Sequence, residues 1–206
     1  QAFGYGYLQG IEAAATELGL ADGSVAVTYH YTGDFAETDT NKATAKAMYQ
    51  EGTEVIFACG GSVGKSVMSA ASEASAKVIG VDVDQRYDSD TVITSAMKGL
   101  GASVQQVLAA IYKDNAWETY AGKTTYFNAA NNGVGLPTIV IGDASGNAFD
   151  RFKTFTKEDY DALYATIADG TVAPVRTITV AAETGYATAD ELTAGLNLKK
   201  VTVTVR

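Results

Sequence analysis

The stretch VIFACGGSVGKS, residues 55–66, contains the residue types of a nucleotide-binding loop. An apolar run leads into glycines and then into Gly64, Lys65 and Ser66. A P-loop reads Gly-x-x-x-x-Gly-Lys-Ser/Thr, and its backbone N–H groups surround the phosphates of a nucleotide. Cys59 stands where that pattern requires its first glycine. The stretch therefore favours a Gly-Gly turn before a helix with Lys65 in solvent, and a phosphate-binding enzyme remains the alternative.

Polar residues and glycines follow the apolar strands elsewhere in the chain. Four such segments are Thr32–Asp39, Gly60–Ser62, Asp82–Arg86 and Thr94–Lys98. Ligands of open parallel sheets bind outside the carboxyl ends of the strands, so these segments are the expected binding site. An ionised carboxylate such as Asp82 can accept hydrogen bonds from two hydroxyl groups. The alternative for Asp82 is a structural role, in which its side chain caps the following turn.

Strands and helices alternate along residues 1–115. Short β-branched runs predict strands at residues 24–31, 54–61, 76–84 and 90–97. Helical periodicity predicts helices at residues 1–20, 40–52, 62–75 and 98–115. This alternation is typical of an α/β fold, with a parallel sheet, right-handed crossovers and helices on both faces.

The pattern changes after Trp117, where glycine and asparagine predict turns with short strands. Thr156 with Asp159, and Thr188 with Glu191, have the spacing of helix-capping boxes. The last residues, KKVTVTVR, alternate valine and threonine as a half-buried strand does.

Composition excludes several classes of function. The net charge is −9 and no Lys/Arg-rich run occurs, so we expect no binding to nucleic acid. A single cysteine, Cys59, allows neither an internal disulfide nor a cysteine-based zinc site. We expect Cys59 and the single histidine, His30, to be core residues. No apolar run reaches the length of a membrane span, and we expect no metal or cofactor.

Several motifs together resemble those of the basic membrane protein family. They are GTEVIFACGGSVG, then GVDVDQ, then TSAMK, in the order and near the spacing of that family. GYLQGIEAA and NNGVGL resemble two further family segments, and the resemblance covers about residues 1–170. The family consists of nucleoside-binding lipoproteins of bacterial ABC importers, with the fold of the type I periplasmic binding proteins.

The resemblance implies roles for individual residues. Asp82 would accept hydrogen bonds from ribose hydroxyls, Lys98 would reach the sugar, and Phe35 would stack on a purine base. Asp84 is a weaker candidate for ligand contact and would shape the loop. The alternatives are a solvated surface lysine for Lys98 and a hydrophobic plug beneath the loop for Phe35.

Gly60 and Gly61 would let the backbone approach the ligand closely. Their alternative is a role in the tight turn alone. The six candidate ligand-binding residues are thus Phe35, Gly60, Gly61, Asp82, Asp84 and Lys98.

The resemblance also implies an organisation in two lobes that close on a ligand. Residues 1–115 would form the α/β ligand-binding lobe. Residues 116–206 would return to the other lobe and end in a helix and a strand. The chain begins with Gln1 in a predicted helix, so we expect that upstream sequence was removed and that most of the first lobe is lacking.

The predicted function is that of a non-catalytic substrate-binding component of an ABC importer, with a purine nucleoside as ligand. Its partners would be the nucleoside and the transporter permease. We expect an extracytoplasmic location, either in the periplasm or at the cell membrane as a lipoprotein whose lipid anchor is not in this chain. Two alternatives remain: a nucleotide-dependent enzyme using Cys59–Ser66, and a ligand-sensing regulatory module of the same fold.

Overall fold

The computed structural model describes residues 2–180 and 185–206. The helices are α1 (Ala2–Glu17), α2 (Asp39–Gln50), α3 (Val63–Ala74), α4 (Leu100–Tyr112), α5 (Lys157–Ala168) and α6 (Ala189–Thr193). The strands are β1 (Val25–Tyr29), β2 (Val55–Phe57), β3 (Lys77–Asp82), β4 (Val92–Lys98), β5 (Val134–Gly135) and β6 (Val201–Val205). The mixed α/β class, with parallel sheets flanked by helices, confirms the predicted fold class.

The chain divides into two compact units, and each is built around its own sheet. One unit, which we call the terminal unit, comprises residues 1–34 and 173–206. The other, the central unit, comprises residues 35–172. These boundaries differ from the predicted division at residue 115, because the chain leaves the terminal unit after β1 and re-enters it only after α5.

The terminal unit holds a two-stranded sheet in which β1 and β6 run parallel, from Val25 opposite Val201 to Tyr29 opposite Val205. The expectation that β1 lies in one sheet with β2, β3 and β4 is therefore wrong. Helix α1 is joined to β6 by Glu12, whose carboxylate accepts hydrogen bonds from the backbone N–H groups of residues 199–201 at 2.9–3.0 Å. Valine and threonine alternate in β6 between less and more exposed positions, as predicted.

The central unit holds a four-stranded sheet in the order β2-β3-β4-β5. Strands β2, β3 and β4 are parallel, whereas the two-residue strand β5 pairs antiparallel with the end of β4. Val78 of β3 and Val92 of β4, both fully buried, pack in one cluster with apolar residues of α3. Apolar burial at this cluster is the main force that holds the sheet and the helices together.

Helix boundaries follow the capping signals of the sequence. Thr156 and Asp159 form the predicted reciprocal capping box at the start of α5, and Thr188 and Glu191 form one at α6. Each box satisfies backbone N–H groups that a helix start leaves without intrahelical partners. No helix in the described part of the chain is both long and apolar enough to cross a membrane.

Candidate functional site

Asp82 and Lys98 end two neighbouring parallel strands of the central unit. Asp82 is the last residue of β3 and Lys98 the last residue of β4. In the parallel register, Asp82 is opposite Met97, so the two side chains start about one residue apart along the sheet. The Lys98 ammonium lies 2.6 Å from Asp82 Oδ1. The structure therefore joins two predicted site residues in an ion pair.

The location of Lys98 differs from the one predicted. The sequence predicted a strand at residues 90–97, a ligand-binding segment at Thr94–Lys98 that overlaps its end, and Lys98 itself in the first turn of the next helix. In the structure these residues belong to β4, and α4 begins only at Leu100. β4 extends to Lys98 because β5 pairs with its end, with Val134 opposite Lys98.

Asp82 has an unusual backbone conformation. Its φ is +71°, in the left-handed region that non-glycine residues rarely adopt. The Val83 N–H donates to the Val81 carbonyl at 2.8 Å, which closes a three-residue turn around Asp82. Turns of this kind with positive φ are rare and strained, and such strain is concentrated at functional sites.

The carboxylate of Asp82 is only partly satisfied within the described residues. About two fifths of its side chain is exposed, but Oδ1 is shielded from solvent. Apart from its ion pair with Lys98, Oδ1 has no hydrogen-bond partner among the described residues. Asp82 is thus a carboxylate with acceptor capacity left over, beside a cation.

The loop that bears Phe35 lies against the Gly60-Gly61 turn. Gly61 has φ +58°, and a Cβ built on it would lie 3.6 Å from Phe35 Cβ. The Phe35 side chain is 76% exposed, so Phe35 is not the hydrophobic plug of the alternative prediction. An exposed aromatic ring beside a glycine turn offers a flat apolar surface.

Two side chains of the adjacent helices fix the Phe35 loop. Ser66 Oγ accepts from the Thr38 N–H and donates to the Thr38 carbonyl, both at 3.0 Å. Asn41 Nδ2 donates to the Ala36 carbonyl at 2.9 Å. Both side chains are buried, so they hold the backbone that follows Phe35 on helices α2 and α3.

The same geometry opposes phosphate binding at residues 59–66. The first N–H groups of α3, from Val63, Gly64 and Lys65, donate to carbonyls of residues 60–62 at 3.1–3.2 Å. A phosphate loop needs such groups to face its ligand. The hydroxyl of Ser66, which would hold Mg²⁺ in a P-loop, is engaged by Thr38 instead.

Asp84 shapes the loop after β3, which is the role that the sequence favoured for it over ligand contact. Its Oδ1 accepts from the backbone N–H of Arg86 at 3.1 Å. The buried Arg86 guanidinium is paired with Asp150 at 2.6 Å. The charge of Arg86 is therefore already neutralised by a neighbour.

His30 and Cys59 are exposed, so the expectation that they lie in the core is wrong. Each follows a short strand. β1 ends at Tyr29, and β2 ends at Phe57, two residues before Cys59. The apolar runs that predicted longer strands continue past the last paired residue.

The sequence assigned no individual role to Gln85, Gly99 or Gly133. Gln85 lies beside Asp82, and its side chain accepts from the Val81 N–H at 2.8 Å. The Gly99 N–H donates to the Gly133 carbonyl at 2.8 Å, directly after Lys98. A Cβ on Gly99 would overlap the Asn132 carbonyl oxygen, so only glycine fits. The motif NNGVGL contains Gly133, but only the structure shows that its residues 134–135 pair with β4.

Comparison with known proteins links this chain to a transport family. Residues 1–168 match the family model described as ABC transporter substrate-binding protein PnrA-like. Basic membrane protein D of Borreliella burgdorferi is 32% identical over 139 residues, which is 66% of this chain and 38% of that protein. The ABC transporter nucleoside-binding protein BmpA of Lactococcus lactis is 30% identical over 152 residues, 65% of this chain and 40% of that protein.

Two solved structures share the fold. An ABC transporter solute-binding protein from Conexibacter woesei has a TM-score of 0.50 and 20% identity, and the match covers 71% of this chain and 45% of that one. A transcriptional activator of the comK gene from Bacillus halodurans has a TM-score of 0.56 and 16% identity, covering 85% and 65% of the two chains. The chain spans about two fifths of the length of the two curated relatives named above. The family match over residues 1–168 shows that this chain belongs to the PnrA-like substrate-binding proteins of ABC transporters.

Proposed function

We propose that this chain is the non-catalytic substrate-binding component of an ABC importer. Its ligand would be a purine nucleoside, bound at the carboxyl ends of β2, β3 and β4. The observation that carries the proposal is the Asp82–Lys98 ion pair at two adjacent strand ends, on a left-handed Asp82 with a shielded oxygen. The nucleoside-binding name of the Lactococcus lactis relative supports the choice of ligand.

The ion pair has the right chemistry for a ribose. Asp82 can accept from two neighbouring hydroxyl groups, and charge-assisted bonds of this kind are about twice as strong as neutral ones. The ammonium of Lys98 has three donors, so it can serve a sugar oxygen while it stays near Asp82. Because the pair already exists without ligand, little side-chain ordering remains to be done on binding.

Phe35 and the glycine turn would receive the nucleobase. Stacking of a base on an aromatic ring contributes about 1–3 kcal/mol. Phe35 is exposed, and its backbone is fixed through Thr38 by Ser66, so the ring is available without local unfolding. Gly60 and Gly61 carry no side chain that would keep the ligand away from the turn.

A neutral ligand fits better than a phosphorylated one. The buried Arg86 is paired with Asp150, and Arg151 Nη1 donates to backbone carbonyls of residues 86, 89 and 92. The first amides of α3 donate to carbonyls of their own loop. Neither group offers the free donors that a phosphate requires.

A ligand-sensing regulatory module is the second candidate. The transcriptional activator from Bacillus halodurans has a similar fold, and its 16% identity shows the fold alone. This candidate keeps the same ligand site but needs no permease. We propose the transport role first because the family match concerns ABC transporter proteins.

The transport role requires a permease as partner and an extracytoplasmic location, either in the periplasm or at the cell membrane as a lipoprotein. Fractionation of the source cells with antibody against this chain tests the location. Recovery in the periplasmic fraction, or in the membrane fraction with digestion by protease added outside the cytoplasmic membrane, supports the proposal. Recovery in the cytosol supports the regulatory module.

A thermal-shift titration tests the choice of ligand. Adenosine, guanosine, inosine, cytidine, ribose and Mg-ATP are each added to the 206-residue chain. A ligand at 100 times its Kd adds about 2.7 kcal/mol to the free energy of unfolding. We expect a shift with purine nucleosides and none with Mg-ATP. A shift with Mg-ATP alone would contradict the proposal and revive the phosphate loop.

A further inference from the structure

We propose that Gln85 is a positioning residue, which holds Asp82 in its left-handed conformation and thereby sets nucleoside affinity. This inference rests on the proposed function, because it concerns the same site. It assigns a role to a side chain that touches the strand rather than the ligand.

Strand β3 extends beyond the end of its neighbour β2, so its last residues lack a strand partner on that edge. Phe57, the last residue of β2, is paired with Ile79 of β3. The Ala58 N–H still donates to the Ile79 carbonyl, at 3.0 Å, and there the pairing stops. Alternate residues of a strand point their backbone groups to the same edge, so Val81 faces the edge where β2 has ended.

The loop after β3 satisfies both backbone groups of Val81. Gln85 Oε1 accepts from the Val81 N–H at 2.8 Å, and the Val83 N–H donates to the Val81 carbonyl at 2.8 Å. The second bond closes the turn that contains Asp82 at φ +71°. The Gln85 side chain therefore takes the place of a missing strand, one residue before the strained position.

Gln85 is itself fixed to the neighbouring strand. Its backbone N–H donates to Ser95 Oγ at 3.0 Å, and Ser95 is fully buried in β4, three residues before Lys98. A Cβ on Gly80 would lie 2.6 Å from Ser95 Oγ and 2.7 Å from Gln85 Oε1. Gly80 thus leaves the space in which the two side chains meet.

These contacts make Gln85 a link between Asp82 on β3 and the strand that ends at Lys98. If the Val81 N–H loses Gln85 as its acceptor, the turn around Asp82 can leave its left-handed conformation at a lower cost in free energy. Asp82 would then adopt ordinary extended conformations, and its carboxylate would leave the position beside Lys98. The expected result is about a tenfold loss of nucleoside affinity, the effect of one hydrogen bond.

The test compares Gln85→Leu, Gln85→Glu and the control Gln105→Leu. Leucine removes the acceptor at nearly constant volume. Glutamate keeps an acceptor oxygen for the Val81 N–H, but places a carboxylate near Asp88, to which Gln85 Nε2 now donates at 3.3 Å. Gln105 is exposed on α4, so its replacement makes the same glutamine-to-leucine change outside the loop after β3.

Two readouts are measured on each isotopically labelled full chain. The first, without ligand, is the exchange rate of the Val81 amide and the backbone coupling constant that reports φ of Asp82. The second is inosine affinity by calorimetry. We expect Gln85→Leu to lose Val81 protection, to shift the Asp82 coupling and to bind inosine about tenfold more weakly.

Gln85→Glu separates positioning from stability. We expect its inosine affinity to stay within about threefold of that of the original chain, while its thermal stability falls through repulsion by Asp88. If affinity follows thermal stability instead, or if Gln85→Leu leaves the Asp82 coupling unchanged, the inference is overturned. If the original chain binds no nucleoside, the proposed function fails, and the ligand-free readout still decides the role of Gln85.

Discussion

Lys98 Nζ lies 2.6 Å from Asp82 Oδ1, across the ends of two parallel strands. The pair is half exposed, so it contributes little to folding on its own. The geometry of the pair nevertheless costs conformational free energy, because it depends on a strained backbone at Asp82 and on close glycine packing after Lys98. A strained arrangement that contributes little to stability is the reason why we propose a role in binding for this pair.

Replacement of Phe35 by leucine should weaken nucleoside binding by about fivefold or more, because stacking on the base is lost. The melting temperature should stay unchanged, since the ring is 76% exposed. Phe35→Trp, which keeps a stacking surface, is the matched control and should retain affinity. Calorimetric titration with inosine measures both variants, and equal affinity of Phe35→Leu and the original chain would exclude the stacking role.

Variants of Lys65 and Ser66 distinguish a glycine turn from a phosphate loop at residues 59–66. Ser66→Ala should lower the free energy of unfolding by about 1–3 kcal/mol, because the Thr38 backbone loses its two bonds to the hydroxyl. Lys65→Ala, at an exposed helix position, should change neither stability nor ligand binding. Urea denaturation and an Mg-ATP titration measure these effects. Loss of Mg-ATP binding in Lys65→Ala would show that a phosphate loop operates.

Gly99→Ala should destabilise the central unit by about 1–3 kcal/mol, because its Cβ would overlap the Asn132 carbonyl oxygen. Gly101→Ala is the matched control two residues away. No atom lies within 4 Å of a Cβ at that position, and alanine favours the helix, so stability should rise slightly. Urea denaturation curves compare the two variants. Equal changes in unfolding free energy for the two variants would contradict the close packing of residues 132–133 against Gly99.

Glu73 links helices α2 and α3 through ion pairs with Lys42 at 2.6 Å and Lys46 at 2.8 Å. Hydrogen bonds from Lys42 and Lys46 lower the pKa of Glu73 from 4.5 to about 2. The native state therefore binds fewer protons at Glu73 than the unfolded state does in this range. The contribution is complete above pH 4.5 and is lost as the pH falls towards 2.

Glu73→Gln removes this pH dependence. The difference in unfolding free energy between the original chain and the variant should be largest above pH 4.5, shrink towards pH 2, and decrease in high salt. Urea denaturation across this range provides the measurement. A difference that is constant with pH would show that the carboxylate has no ionic role.

The local elements were accessible from the sequence because their signals are local. Thr156 with Asp159 marked the start of α5, and the alternation in KKVTVTVR marked β6. The α/β class followed in the same way from periodicity. The pairing of β1 with β6 could not be predicted, because it joins residues about 176 positions apart and depends on where the chain crosses between units.

The candidate site was predicted as a set of residues, not as a geometry. The motifs named Asp82 and Lys98, but nothing in them shows φ +71° at Asp82 or the extension of β4 to Lys98. The extension depends on β5, whose pairing with β4 links residues 97–98 with 134–135, and the conformation of Asp82 depends on the turn between Val81 and Val83. The role of Gln85 could not be predicted either, because the Val81 N–H that it accepts from lacks a strand neighbour only in the folded sheet.

Inosine titration of Asp82→Asn beside Asp84→Asn tests the central claim most directly. Asparagine at 84 retains an acceptor for the Arg86 N–H, so this control keeps the loop. We predict that the original chain and Asp84→Asn bind inosine with similar affinity. Asp82→Asn should bind at least tenfold more weakly, through loss of charge-assisted bonds to the ribose. Equal inosine affinity in the original chain and both variants would contradict a ribose site at Asp82.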